Sequence, residues 1–284
     1  MKRVIILWTL AFILTAAFLV WQRISGPTYQ VRFDTEVAGV PLKGELLRTH
    51  SINGDLPVTV DISDPSVEGT VIWRRYPTDE PFVRLPMANE NGKLTAILPR
   101  QKMAGKLEYS VEFAKDGQTV HIPPKEAAVA RFKGDVPNLV LIFHVSFMIL
   151  GMFFSTGCGL EALTNGGAIR VLSRVTFAFL LLGGLVLGPV VQKYAFDAYW
   201  TGWPLGGDWT DNKLAVGAIV WLVAMWATRN AGVGRPSGKW LCVLAMLAIF
   251  VIYGIPHSIH GSTLNYETGE HIQVMMVEFV RWLG

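Results

Sequence analysis

Charge is scarce in this chain and cysteine almost absent. Only 17% of its 284 residues are Asp, Glu, Lys or Arg, against 51% hydrophobic, and the mean hydropathy is +0.37. That balance excludes an ordinary soluble domain of this length and points to a membrane. The formal charge of +3 does not gather into a basic patch, so no nucleic-acid partner is expected. The two cysteines, Cys158 and Cys242, fall at or inside apolar segments and lack a CxxC or CxxCH context. Zinc ribbons, thioredoxin-type exchange and covalent haem attachment are thereby excluded, and both cysteines read as small apolar packing residues. No catalytic triad or phosphate loop is visible, and the His-x-x-His pair at 257 and 260 lacks the Glu and the i,i+4 spacing of a zincin helix. No motif assigns an enzymatic activity.

What is present is length in apolar runs. About 20 residues at about 1.5 Å each cross a hydrocarbon core of about 30 Å. Five segments qualify once their uncharged flanks are included: Val4–Trp21, Leu139–Phe154, Val175–Val191, Leu214–Ala227 and Trp240–Ile255. The first competes with a cleaved secretory leader ending near Thr15-Ala16-Ala17. Its uncharged run outlasts a leader's apolar core, and Trp21-Gln22-Arg23 reads as an interfacial stop, so residues 1–24 are expected to be an uncleaved anchor.

Lys and Arg set the orientation. With the N-terminus inside, Lys2, Arg3, Arg170, Arg174, Arg229, Arg235 and Lys239 lie inside, and only Lys193, Lys213 and Arg281 lie in short outer segments. The expected topology has the N-terminus inside, residues 25–135 outside and the C-terminus outside. For a bacterial chain this is the inner (cytoplasmic) membrane with a periplasmic domain.

Residues 25–135 read as strands. "LPVTVDI" (56–62) and "KLEYSVEF" (106–113) alternate apolar and polar residues, the mark of a sheet buried on one face. Further runs are Tyr29–Val37, Thr70–Tyr76, Lys93–Leu98, Gln118–Ile122 and Ala127–Phe132. Asn53-Gly54, Asp64-Pro65, Asn91-Gly92 and Asp116-Gly117 mark turns between them. Several short strands with no helix-period stretch predict a β-sandwich. In pattern it resembles immunoglobulin-like and fibronectin type III-like modules, with Trp73 as a candidate core tryptophan and no Cys…Trp…Cys triplet. The overall class is therefore an α+β membrane protein. Segments two to five, within 136–263, are expected to form an antiparallel four-helix bundle, with small residues such as Gly151, Gly183, Gly184 and Gly217 allowing close approach. Gly188-Pro189 predicts a kink near the outer end of the third span. Residues 264–284 read as an outer polar tail with a short amphipathic helix over Ile272–Leu283.

Chemistry-bearing residues collect at the outer face. "PHSIHGSTLNYETGEH" (256–271) follows the last apolar run and carries His257 and His260. His144 is the one histidine within a span. The aromatic loop 192–213 adds Asp208 and Asp211 beside Tyr194, Tyr199, Trp200, Trp203 and Trp209. Ionisable groups at a bilayer are costly and mark cavities or sites. Imidazole suits a transition metal, and His144 with His257 or His260 offers an axial pair for haem b. Asp208 or Asp211 would be a further ligand or a supporting partner. The competing roles are a His144 bonded to a neighbouring helix and an Asp211 that caps or charges a helix start. Two functions are thus expected: metal or haem binding at an outward His/Asp cluster for electron transfer or cofactor handling, or non-enzymatic assembly through the sandwich and aromatic loop. The expected partners are the lipid bilayer and another membrane protein. A transporter is less expected, for want of inner-half ionisable residues or an inverted repeat.

Overall fold

The computed structural model describes residues 2–231, 237–255 and 262–269. The chain is α+β: it holds two β-sheets together with long apolar helices. It divides into two compact units, a β unit of described residues 27–135 and 262–269, and a helical unit of described residues 2–26, 136–231 and 237–255.

The β unit holds eleven strands: β1 (Val31–Val37), β2 (Val40–Leu46), β3 (Thr49–Ser51), β4 (Leu56–Ile62), β5 (Glu68–Tyr76), β6 (Val83–Pro86), β7 (Ala88–Glu90), β8 (Lys93–Leu98), β9 (Lys106–Lys115), β10 (Gln118–Ile122) and β11 (Ala128–Lys133). One sheet runs β1-β2-β4-β8-β7. The other runs β3-β11-β9-β5-β6, with β10 also paired to β9. Every pair is antiparallel except β11 with β3. In β4, Leu56, Val58, Val60 and Ile62 are buried while Pro57, Thr59 and Asp61 are exposed. In β9, Leu107, Tyr109, Val111 and Phe113 are buried. Both strands feed one hydrophobic core shared by the two sheets, where each large side chain contributes about 1.5–3 kcal/mol. The Tyr109 hydroxyl donates to Leu47 O at 2.8 Å, which satisfies the one polar atom that ring buries. Trp73 packs half-buried against the same core.

Asp64 fixes the β4–β5 turn. Its Oδ1 accepts from the Ser66 N–H at 2.9 Å, and its other oxygen binds the Lys115 ammonium. These bonds hold the carboxyl far below the ordinary range, the Lys115 hydrogen bond most of all. A depressed carboxylate contributes stability above its unfolded value, about pH 4, and loses it as the pH falls from there through the folded value. The wild-type melting temperature should therefore exceed that of Asp64→Asn at pH 6, and the gap should close as the pH drops below about 4. A gap independent of pH would contradict the ion pair.

The segment after the last helix joins the β unit. Leu264 N–H donates to Ala104 O at 3.1 Å. The Tyr266 hydroxyl donates to Lys106 O at 2.8 Å and accepts from Lys106 N–H at 2.9 Å. Burial pushes that phenol up to about 12. The part of the expected tail helix at Ile272–Leu283 lies outside the described residues.

The helical unit holds α1 (Lys2–Ser25), α2 (Asn138–Leu163), α3 (Ile169–Leu180), α4 (Gly188–Phe196), α5 (Trp209–Ala227) and α6 (Lys239–Gly254). A π-helical stretch, Leu181–Leu187, joins α3 to α4 into one continuous span. Among the described residues three helical spans are long and apolar enough to cross a membrane: Lys2–Ser25, Asn138–Leu163 and Ile169–Phe196. α6 is apolar but shorter, and α5 opens on the polar turn Trp209-Thr-Asp-Asn-Lys. Outward side chains such as Ile5, Leu139 and Val251, each 65–70% exposed, would be costly in water and match hydrocarbon. α1 packs on its neighbours: Arg3 pairs with Glu161 at 3.1 Å, and Gln22 Nε2 donates to Tyr253 O at 2.7 Å. The π-helical stretch ends directly before Gly188-Pro189, where the sequence suggests a kink and where Pro189 supplies no N–H.

Candidate functional site

The outer-face candidates separate into two groups. His144 lies in α2, with Nδ1 donating to Gly183 O in the π stretch at 2.8 Å. Since a carbonyl only accepts, a neutral ring there carries its proton on Nδ1 and leaves Nε2 bare. His257 and His260 lie outside the described residues. Among the described residues no group of three or more His, Cys, Asp or Glu side chains could hold a metal ion.

Asp208 and Asp211 instead build the loop between α4 and α5. α4 ends at Asp197, in the left-handed region with φ of 61°, where the side chain accepts from Lys193 Nζ at 2.6 Å. α5 begins at Asp208, whose Oδ1 accepts from Thr210 N–H at 2.7 Å as an N-cap. The cap is thus Asp208, and of the two roles the sequence suggested for Asp211, N-cap or first-turn acid, the structure shows the second. Asp211, in the first turn, turns its Oδ2 back to the loop and accepts from Thr201 N–H at 2.7 Å and Gly202 N–H at 3.0 Å. The Thr201 hydroxyl lies 3.1 Å from Asp208 Oδ2 and 3.3 Å from Asp211 Oδ2, and accepts from Gln192 Nε2 at 2.6 Å. Trp203 N–H donates to Asn212 Oδ1 at 2.6 Å. These bonds tie the loop to the end of α4 and to the first turn of α5. Gly202 is required by the closeness of that approach: a Cβ there would stand 2.6 Å from Asp211 Cβ.

The polar groups point inward and the rings outward. Asp208, Asp211 and Lys213 are buried, and the Lys213 ammonium reaches Ile255 O at the end of α6. Tyr199, Trp203, Leu205 and Trp209 are exposed, Trp203 at 69%. Two buried carboxylates therefore hold a fixed loop that displays large apolar side chains. The acid positions were visible in the sequence. Their hub, Thr201, and its donor Gln192 were not, because neither stands in a motif.

The β unit adds an open depression of about 530 Å³ lined by Arg75, Pro77, Thr78, Glu80, Asn265 and Tyr266. Arg75 pairs there with Glu80 and stands 5.0 Å over the Tyr266 ring.

No family model matches the chain, and no curated protein matches it. Among solved structures, one described as "Crystal structure of Br derivative BhCBM56" is similar at 12% identity, covering 34% of this chain and 97% of that one, with a TM-score of 0.25.

Proposed function

We propose that the chain is a non-enzymatic accessory protein of the inner membrane that binds a partner membrane protein through its β unit and its aromatic loop. In this reading α1 anchors the chain, and α2, the α3–α4 span, α5 and α6 form an antiparallel four-helix bundle. The β unit is an immunoglobulin- or fibronectin type III-like sandwich on the extracytoplasmic side.

The observation that carries the proposal is the fixed aromatic loop. A belt at the headgroup layer needs only Trp and Tyr at helix ends. Here buried carboxylates order the loop in advance and leave Tyr199, Trp203 and Trp209 exposed. Rigid aromatic anchors are the side chains that dominate protein interfaces, and ordering them beforehand lowers the entropy cost of binding. A photo-crosslinking residue at position 203, activated in native membranes, should yield a discrete protein adduct. Trp203→Ala should weaken capture of that partner about 10-fold or more. Adducts with lipid alone would contradict the reading.

One observation favours the second reading, a transition metal or haem b bound with His144, His257 and His260 as ligands and Asp208 or Asp211 in support. A carbonyl-held Nδ1 with Nε2 bare is how a metal-ligating histidine is commonly oriented. The two readings separate on a visible spectrum and metal analysis of protein purified in mild detergent. The accessory reading predicts a colourless, metal-free protein. A Soret band or near-stoichiometric metal that His144→Ala removes would establish the second.

A further inference from the structure

Two arginines from different helices border one apolar groove. Arg174 in α3 and Arg229, just past the C-terminal end of α5, line an open depression of about 650 Å³ whose other walls are Leu222, Val223, Met225 and Trp226. A buried bond joins the two helices at this level. The Ser173 and Thr228 hydroxyls, each next in sequence to one of the arginines, meet at 2.8 Å, and both residues are 0% exposed. Arg229 is oriented further by its own turn: its guanidinium lies 4.0 Å from the centre of the Trp226 ring and donates to Trp226 O at 3.1 Å. Both arginines are exposed, and among the described residues no carboxylate pairs with either. The stretches 162–196 and 212–266, which hold α3, α6 and all but the first turn of α5, contain no Asp or Glu. Setting the orientation of a span needs arginines somewhere in the connections on one side. It does not explain why two of them share an apolar groove between helices that a buried bond holds together.

We propose that this groove binds one anionic phospholipid, with its phosphodiester between Arg174 and Arg229 and an acyl chain along Leu222, Val223 and Met225. Guanidinium groups match phosphate oxygens with paired, charge-assisted hydrogen bonds, and basic pockets between membrane helices are suited to anionic headgroups. The exposed apolar walls Leu222 and Val223 select the source of the phosphate. A soluble phosphodiester would engage the arginines and leave those walls bare, whereas a lipid covers them with hydrocarbon. A zwitterionic lipid brings its own cation to a site that already holds two, so the groove favours a headgroup of net negative charge. The inference rests on the reading of the helical unit as embedded in a membrane and is independent of the accessory role.

The test is native mass spectrometry of the full chain in mild detergent, offered dioleoyl phosphatidylglycerol and dioleoyl phosphatidylcholine at equal concentration. The wild type should retain one phosphatidylglycerol with a preference of about 10-fold or more, and glycerophosphoglycerol, the same headgroup without acyl chains, should not displace it. Arg174→Gln and Arg229→Gln should each lower that retention about 5-fold and leave phosphatidylcholine unchanged. Equal retention of the two lipids, or an unchanged preference in both variants, would overturn the proposal and leave the membrane reading standing. Displacement by the chainless headgroup would overturn it in favour of a soluble phosphodiester. Retention of neither lipid would overturn it together with the membrane reading. A phosphatidylglycerol carrying a diazirine on its acyl chain decides the matter on the wild type even if a variant fails to fold. Its adducts should map within residues 222–229, and adducts confined to other helices would contradict the site.

Discussion

Asp211→Ala should lower the stability of the helical unit by about 2–5 kcal/mol and open residues 197–208 to proteolysis. The loss arises because the Asp211 carboxylate is the acceptor for the N–H groups of both Thr201 and Gly202. Each buried donor left without a partner costs about 1–3 kcal/mol. Asp211→Asn keeps one acceptor oxygen and should cost less than half as much. Asp208→Ala removes the N-cap and one acceptor for Thr201, a loss of about 1–2 kcal/mol. Thermal melting in detergent and limited proteolysis read both effects. Capture of a partner from position 203 should fall with Asp211→Ala, because the ring would no longer be held. An Asp211→Ala protein with unchanged melting and an intact loop would show that the carboxylate does not organise it.

Trp221 should separate size from hydrogen bonding in the helical core. Its side chain is the largest of the fully buried ones, at 0% exposed, and its indole N–H has no partner among the described residues. Trp221→Ala leaves a cavity where α5 meets the core and should cost about 3–5 kcal/mol. Trp221→Phe fills most of that space and removes an unpaired donor, so it should cost less than about 1.5 kcal/mol. Comparative thermal or denaturant unfolding in the same detergent measures the difference. A Phe variant as damaged as the Ala variant would mean that the N–H has a partner on which the core depends.

The strands with the clearest alternation were legible from the residues. β4 and β9 repeat apolar side chains at every second position, and both bury that face. β2 was hidden because Pro41 and Gly44 interrupt its pattern. Pro41 is tolerated since β4 pairs only with Leu42, Lys43 and Gly44 of that strand, so no β4 bond is lost at residue 41. Gly44 makes room for the Phe33 ring, which a Cβ would meet at 2.7 Å. Turns followed the same division. Asn91-Gly92 and Asp116-Gly117 adopt positive φ as their residue types suggest, whereas Ala38-Gly39 makes the β1–β2 hairpin with an alanine at φ of 46°.

Among the candidate site residues, residue type was legible and partnership was not. Nothing in the spacing of Asp208 and Asp211 shows that their oxygens turn to Thr201, because that depends on how the loop folds over the first turn of α5. The burial of Cys158 and Cys242, by contrast, was legible from the apolar runs around them.

The most direct test of the whole arrangement is the side of the membrane on which the β unit lies. A cysteine introduced at the exposed Asp116-Gly117 turn, Asp116→Cys, would be labelled with a membrane-impermeant maleimide in cells whose outer barrier is opened but whose inner membrane is intact. The arrangement proposed here predicts full labelling before lysis, with a cysteine at Arg229 labelled only after lysis. Labelling at position 116 that requires lysis would place the β unit in the cytoplasm and contradict it.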